Sequence, residues 1–283
     1  MMQGTIFNSW HCAGWLNNVK PRLRIFAGRN NITNMAKKIL ALAFLFFPLI
    51  LPAQTIKDST LQLHMFSFHV SGHLPAGDIA SRYGLNMGIG GSYWLKTRSN
   101  WLLGAEYTHI FGNKYKEDST LNGLLDQDGY FITTNGEQMY PTISERGFYA
   151  GLKIGKIFPV IGPNPNSGLL ISASAGLLQY KTFFRLEEPS IPVMMDKYLK
   201  LYDYLTNGFA LNEFIGYLHL DNEQPINFYA GFEFHQAWTK CRRDWVYNLH
   251  GPDNTLRHDF LFGIRVGWIF PLGKKTTGTY TYF

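Results

Sequence analysis

The chain has 283 residues, of which 46% are hydrophobic and 16% aromatic, a formal net charge of +6, and two cysteines, Cys12 and Cys241. Residues 1–54 contain six basic residues (Lys20, Arg22, Arg24, Arg29, Lys37, Lys38) and no Asp or Glu, which leaves 20 basic and 20 acidic residues in the rest. That distribution excludes a nucleic-acid-binding reading of the charge, and two distant cysteines exclude a disulfide framework.

Residues 35–53 have the form of a secretory signal peptide. Met35, Ala36, Lys37 and Lys38 make a charged n-region, residues 39–51 an apolar h-region, and Ala53 a small residue before the cut. The apolar run is shorter than the roughly 20 residues of a spanning helix, and Pro48 interrupts it. Met35 is the expected initiator and residues 1–34 an upstream mis-start, an extended n-region being the alternative. No Cys follows Ala53, so lipid attachment is not expected and the mature domain spans 54–283.

From Leu61 onward, eight amphipathic segments follow: 61–74, 85–96, 101–111, 146–158, 168–184, 206–220, 226–239 and 258–271. In the last, His258, Phe260, Phe262, Ile264, Val266, Trp268 and Phe270 share one face. Asp259, Leu261, Gly263, Arg265, Gly267 and Ile269 share the other. The period is two, the strand period. In the seventh, Phe228, Ala230, Phe232, Phe234, Gln236 and Trp238 alternate with Tyr229, Gly231, Glu233, His235, Ala237 and Thr239. The apolar face is bulky, and the other is glycine-rich with isolated charges, which suits a narrow lumen better than a water-facing sheet. The connections alternate long (75–84, 112–145, 185–205, 240–257) with short (97–100, 159–167, 221–225). An even strand number with this alternation predicts an all-β fold, an eight-stranded antiparallel transmembrane barrel with long extracellular loops and short periplasmic turns. Twelve aromatic residues near segment ends are expected as interfacial girdles: Tyr93, Trp94, Trp101, Phe111, Tyr149, Phe158, Tyr180, Phe183, Phe184, Trp238, Trp268 and Phe270.

The texture of residues 88–94 (GIGGSYW), 147–156 (GFYAGLKIGK) and 263–268 (GIRVGW) resembles small outer-membrane barrels. It is similar to the OmpA/OmpX-like β-barrel superfamily of Gram-negative bacteria, of the type abundant in Bacteroidota. The resemblance covers residues 61–271 and implies an outer-membrane location with both termini periplasmic; it implies no activity. The chain ends in Phe283 after Tyr280 and Tyr282, similar to the terminal aromatic signal of such barrels, but a linker at 272–278 separates it from the last strand.

Glu106, Lys153, Glu233, His235 and Arg265 fall on the polar faces and are expected to pair as a structural network in the lumen, since an unpaired charge there is costly. An ion or proton path is the competing reading. In the last long connection, Lys240, Arg242, Arg243 and Trp245 are candidates for headgroup or lipopolysaccharide contact. Asp126, Asp128 and Glu137 faintly match a calcium loop, but Gln127 and Gly129 break the pattern. Residues 194–205 suit a short amphipathic helix capping the barrel mouth or meeting a partner. His73, Asp78 and Ser81 are the residues available for lipid A acyl chemistry, without a motif to certify them. No catalytic residue, cofactor or metal is assigned. The expected partners are outer-membrane lipid, lipopolysaccharide and a larger outer-membrane protein complex. The expected role is a non-enzymatic scaffold or accessory subunit of a secretion or assembly complex, the alternatives being a lipid A-modifying enzyme or a narrow pore.

Overall fold

A computed structural model describes residues 60–117, 126, 128–132, 136–139, 142–185, 199–221, 227–272, 274–276 and 279–281. The expected mis-start (1–34) and signal peptide (35–53) lie outside them, as do Cys12, Gln127, residues 194–198 of the helix expected at 194–205, and Phe283; in the described remainder of that helix only Leu199 is helical and 200–203 form a turn and a bend.

Eight long antiparallel strands form the barrel: β1 (Leu63–Gly77), β2 (Asn86–Lys96), β3 (Trp101–Gly112), β4 (Thr142–Phe158), β5 (Gly168–Arg185), β6 (Thr206–His219), β7 (Phe228–Cys241) and β8 (Leu256–Leu272). Each pairs with its sequence neighbours, and β1 pairs with β8 from His64↔Leu272 to Gly77↔Asp259, closing the ring. Closure leaves no free edge, so every ladder hydrogen bond is made within the wall, as hydrocarbon requires. The strands run from 11 to 18 residues, enough for the roughly 9–11 that a tilted strand needs to cross a bilayer.

Side chains alternate without interruption along β1, where Met65, Ser67, His69, Ser71 and His73 are buried while Phe66, Phe68, Val70 and Leu74 are exposed. The exterior is inverted relative to a soluble protein: Leu152 is 75% exposed, Phe232 67% and Trp268 61%. An unbroken belt of such residues is stable only in an apolar solvent. Four of the aromatic residues expected in the girdles, Trp94, Tyr149, Tyr180 and Phe184, instead point inward and are buried. The reason is parity: adjacent residues such as Tyr93 and Trp94 cannot share a face.

Strand ends differ from the sequence expectation where the chain leaves the membrane. β1 continues through Pro75 to Gly77, because its pairing with β2 ends at His73↔Asn86 and Pro75 sits beyond it, where a missing N–H costs no ladder bond to β2. The first connection is thereby reduced to 78–85, no longer than the sixth, 220–227. β4 begins at Thr142 because it pairs with β5 beyond the last pair it makes with β3, Gly112↔Glu145. The expected linker at 272–278 is also revised: Leu272 ends β8, and Lys274–Thr276 pairs with Thr279–Thr281 as a small hairpin.

The interior is layered. At the end of the short turns, Leu63, Met65, Trp94, Leu102, Ile157, Leu170, Phe214, Leu218 and Ile269 form one apolar cluster. Beneath it the turns lace together: Asn164 Nδ2 donates to the Leu220 carbonyl (2.6 Å), and the buried Lys96 Nζ donates to Asn166 Oδ1 (2.8 Å). At the other end Ile79, Tyr83, Ile110, Leu178, Tyr180 and Leu261 form a second cluster. Its lid is the first connection, where a one-turn helix (Ile79–Arg82) drops Ile79 and Tyr83 into the mouth. Tyr83 and Thr182 hydroxyls hydrogen-bond at 2.8 Å, and burial pushes the Tyr83 phenol's pKa up, so it stays neutral. The mouth is thus covered by the first connection; of the fifth, the described part adds buried Tyr204, which stands over Arg82 and beside Val246, and buried Tyr202, which packs against Tyr247.

Candidate functional site

Between the two apolar layers the lumen is polar. Glu106 on β3, Lys153 on β4, Glu233 and His235 on β7 and Arg265 on β8 converge there, all buried. Lys153 Nζ donates to Glu106 Oε2 at 2.9 Å and Arg265 Nη1 to the same oxygen at 2.8 Å. Arg265 Nη2 is ion-paired with Glu233 Oε2, so one guanidinium bridges two carboxylates. Ser174 and Asn212 also donate to Glu106 Oε1, and Lys153 lies 4.2 Å above the Trp94 ring. Glu106 and Glu233 therefore each face a cation and further donors, the condition under which buried charge is tolerated.

His73, on β1, belongs to this network. Its Nε2 donates to Glu233 Oε1 at 2.8 Å and its Nδ1 lies 2.9 Å from Asn86 Oδ1, while Asn86 Nδ2 donates to Glu145. The sequence signal for it was the strict alternation of β1, which puts His69 and His73 on the Ser67 and Ser71 face. Room for the imidazole comes from across the β1–β8 pair: a Cβ at Gly263 would lie 2.6 Å from His73 Cδ2.

His73, Glu233 and His235 offer one ligand atom each within 4.8 Å of one another. The chemistry of this donor set disfavours a metal, because Glu233 is already engaged by His73 and by the Arg265 guanidinium, and a dication would meet that positive charge at contact. His235 Nε2 is 3.5 Å from Glu233 Oε2, and its ring packs edge-on to Tyr149 and His73.

Outside the lumen, the candidates for headgroup contact divide. Arg243 is ion-paired with Asp203, and this hydrogen-bonded pairing raises its pKa further. Lys240 faces outward on β7, Arg242 Nε donates to Asn207 Oδ1 at 2.6 Å, and Trp245 is exposed. Asp126 accepts from the backbone N–H groups of Tyr130 and Asp128 and from Gln138 Nε2, a self-satisfied turn; the Tyr130 bond is foremost in lowering its pKa. Ser81 Oγ donates to the Asp78 carbonyl at 2.7 Å, and both sit above the mouth while His73 is enclosed below it.

A polar pair stands on the outer wall well away from either rim. Glu213 on β6 accepts from Gln236 Nε2 on β7 at 3.0 and 3.1 Å. Glu213 is four residues from Phe209, which stacks on Trp238, and four from Tyr217 at the other end of β6, so it sits near mid-depth. Exposed Ile215 and Phe232 and the small Ala173 surround it.

No protein-family model matches the sequence, and no curated protein matches it. Among solved structures, the chain is similar to Neisserial surface protein A (10% identity, TM-score 0.36, 73% of this chain and 96% of that one). It is also similar to Ail of Yersinia pestis, solved with the heparin analogue sucrose octasulfate (10%, 0.35, 74% and 99%), and to the N-terminal β-barrel domain of Pseudomonas aeruginosa OprF (13%, 0.34, 74% and 100%). Those chains are small outer-membrane barrels; the eight-stranded closed architecture of this chain rests on its own strand pairing.

Proposed function

We propose that this chain is an integral outer-membrane barrel that neither conducts nor catalyses and that serves as a scaffold or accessory subunit of a larger outer-membrane assembly for secretion or envelope biogenesis. Both ends of the barrel chain and the 97–100, 159–167 and 220–227 turns lie at one end, read as periplasmic, with the remaining connections outside. The filled lumen supports the non-conducting part, since apolar clusters close it above and below a polar layer whose Glu106, Lys153, Glu233 and Arg265 are ion-paired. The enclosed His73 and the internally bonded Ser81 and Asp78 favour the non-enzymatic part.

The observation that carries the accessory role is the Glu213–Gln236 pair. Lipid tails offer no hydrogen-bond partner, and a charged residue on a barrel's lipid face is destabilising at mid-depth, by about 2–4 kcal/mol for Lys or Arg and less for Glu. A neighbouring membrane protein that supplies further donors removes that penalty. With a photoreactive residue at Leu211 or Ile215, cross-linking in native outer membranes is expected to yield an adduct with a second membrane-embedded protein, while the same probe at Phe68 on the opposite wall yields none. Glu213→Leu should lower the yield about tenfold, the worth of a hydrogen bond to a charged group. Equal labelling at all three positions, or none at 211 and 215, would remove the accessory reading. In planar bilayers the purified barrel is expected to stay silent, and regular unitary current steps would instead establish a pore.

A further inference from the structure

The upper outer wall of the barrel, at the end bearing the 113–141 and 186–205 connections, is electrically lopsided. Arg146 on β4 faces Lys181 on β5 as a cross-strand pair. The row continues sideways on the same face: Gln179 opposite Asn207, Asn207 opposite Lys240, and Arg242 bonded to Asn207, with Asn207 Nδ2 donating to Gln179 Oε1 at 3.3 Å. Among the described residues none of these four cations is ion-paired with a carboxylate, in contrast to Arg82, Arg243 and Arg257 in the loops above. The outward residues at the same level of β8, β1, β2 and β3 are Leu256, His258, Leu74, Ala76, Met87 and Phe111, with no Lys, Arg, Asp or Glu.

Directly below the row, one outward position nearer the bilayer centre, come Phe148, Leu177 and the stacked Phe209 and Trp238. The sector therefore presents acyl-chain contacts below, cations and amides above. That order matches a lipid lying upright against the wall. The two cation pairs stand two to three inter-strand spacings of about 4.8 Å apart, roughly 10–15 Å, a separation that suits two phosphate groups joined through a disaccharide.

We propose that the Arg146–Lys181 and Lys240–Arg242 pairs form a ledge binding a diphosphorylated glycolipid of the outer leaflet, each cation pair taking one phosphate. The proposal deepens the membrane reading above and rests on it only for which leaflet the ledge meets; binding in detergent micelles does not depend on orientation or on any protein partner. Lys and Arg near a membrane surface each contribute about a factor of five to anionic-lipid affinity.

The test titrates the full barrel in neutral detergent with diphosphoryl lipid A, monophosphoryl lipid A, phosphatidylglycerol and inorganic phosphate, read by native mass spectrometry and Trp238 fluorescence. Wild-type barrel is expected to retain diphosphoryl lipid A several-fold better than the monophosphoryl form and better than phosphatidylglycerol. The fourfold variant Arg146→Gln, Lys181→Gln, Lys240→Gln, Arg242→Gln should lose about 600-fold, while Lys156→Gln at the opposite rim changes nothing. The heat-dependent mobility of the folded barrel checks that each variant has closed, and the outward Lys181→Gln, Lys240→Gln pair alone, expected to lose about 25-fold, serves if the fourfold variant does not fold. Equal retention by wild type and variant, or indifference to the second phosphate, overturns the proposal. Displacement of the lipid by millimolar inorganic phosphate reassigns the ledge to a free anion and overturns it as well.

Discussion

Replacing Arg265 with Met is expected to stop the barrel from closing, read as loss of the heat-dependent shift in gel mobility and of the urea transition in detergent. The guanidinium is fully buried and is the shared partner of Glu106 and Glu233, which come from strands on different sides of the ring. Without it Glu106 keeps Lys153, Ser174 and Asn212, but Glu233 keeps only its histidines. Stranding a buried charge costs about 3–5 kcal/mol, a large share of the stability of an ordinary domain. Arg265→Lys should recover part of the loss, because a point charge cannot bond both carboxylates in the fixed fork geometry of a guanidinium. Lys153→Met should be the mildest change in the layer, since Glu106 retains a cation and two neutral donors and Met preserves packing on Trp94. An Arg265→Met barrel as stable as Lys153→Met would show that the layer is held by packing and not by charge pairing.

Gly267→Val is the second large effect expected, by steric means. A Cβ at this position would lie 2.4 Å from Tyr229 Cε1 and 2.5 Å from Cζ, inside any tolerable contact. Tyr229 is 1% exposed and wedged edge-on against Phe214, and the ring of strands gives it no free side on which to move. Overpacking of this kind costs about 1–3 kcal/mol, measured as a lowered urea midpoint. Tyr229→Val in the same chain frees the space, so the double variant should be more stable than the sum of the two single losses. Strict additivity would mean that the two side chains do not meet, contrary to the cross-strand Gly267↔Tyr229 pair.

Much of this molecule was legible from residues in order, because a barrel wall obeys a local rule. Each residue faces either lipid or lumen by parity, so the alternation in β7 and β8 identified both faces, and the inward placement of Glu106, Lys153, Glu233, His235 and Arg265 followed without knowledge of any contact. The same rule, applied to segment ends as clusters and not position by position, misassigned Trp94, Tyr149, Tyr180 and Phe184 to the girdles. Turn residues misled where pairing on one side had already ended, as at Pro75.

What parity leaves open is where along the barrel axis each residue sits, which depends on strand register and tilt, properties of the closed ring and not of any strand. Register alone brings Arg265 to two carboxylates on different strands, joins His73 to Glu233 across 160 positions of sequence, and drops Tyr83 into the mouth as a lid. It also divides the cations, sending Arg243 to Asp203 while aligning Arg146, Lys181, Lys240 and Arg242 in one row facing lipid. The sequence by itself determined which solvent each side chain meets, since alternation is written into neighbouring residues; the tertiary structure decided which side chains meet one another, since that is a long-range consequence of closing eight strands into a ring.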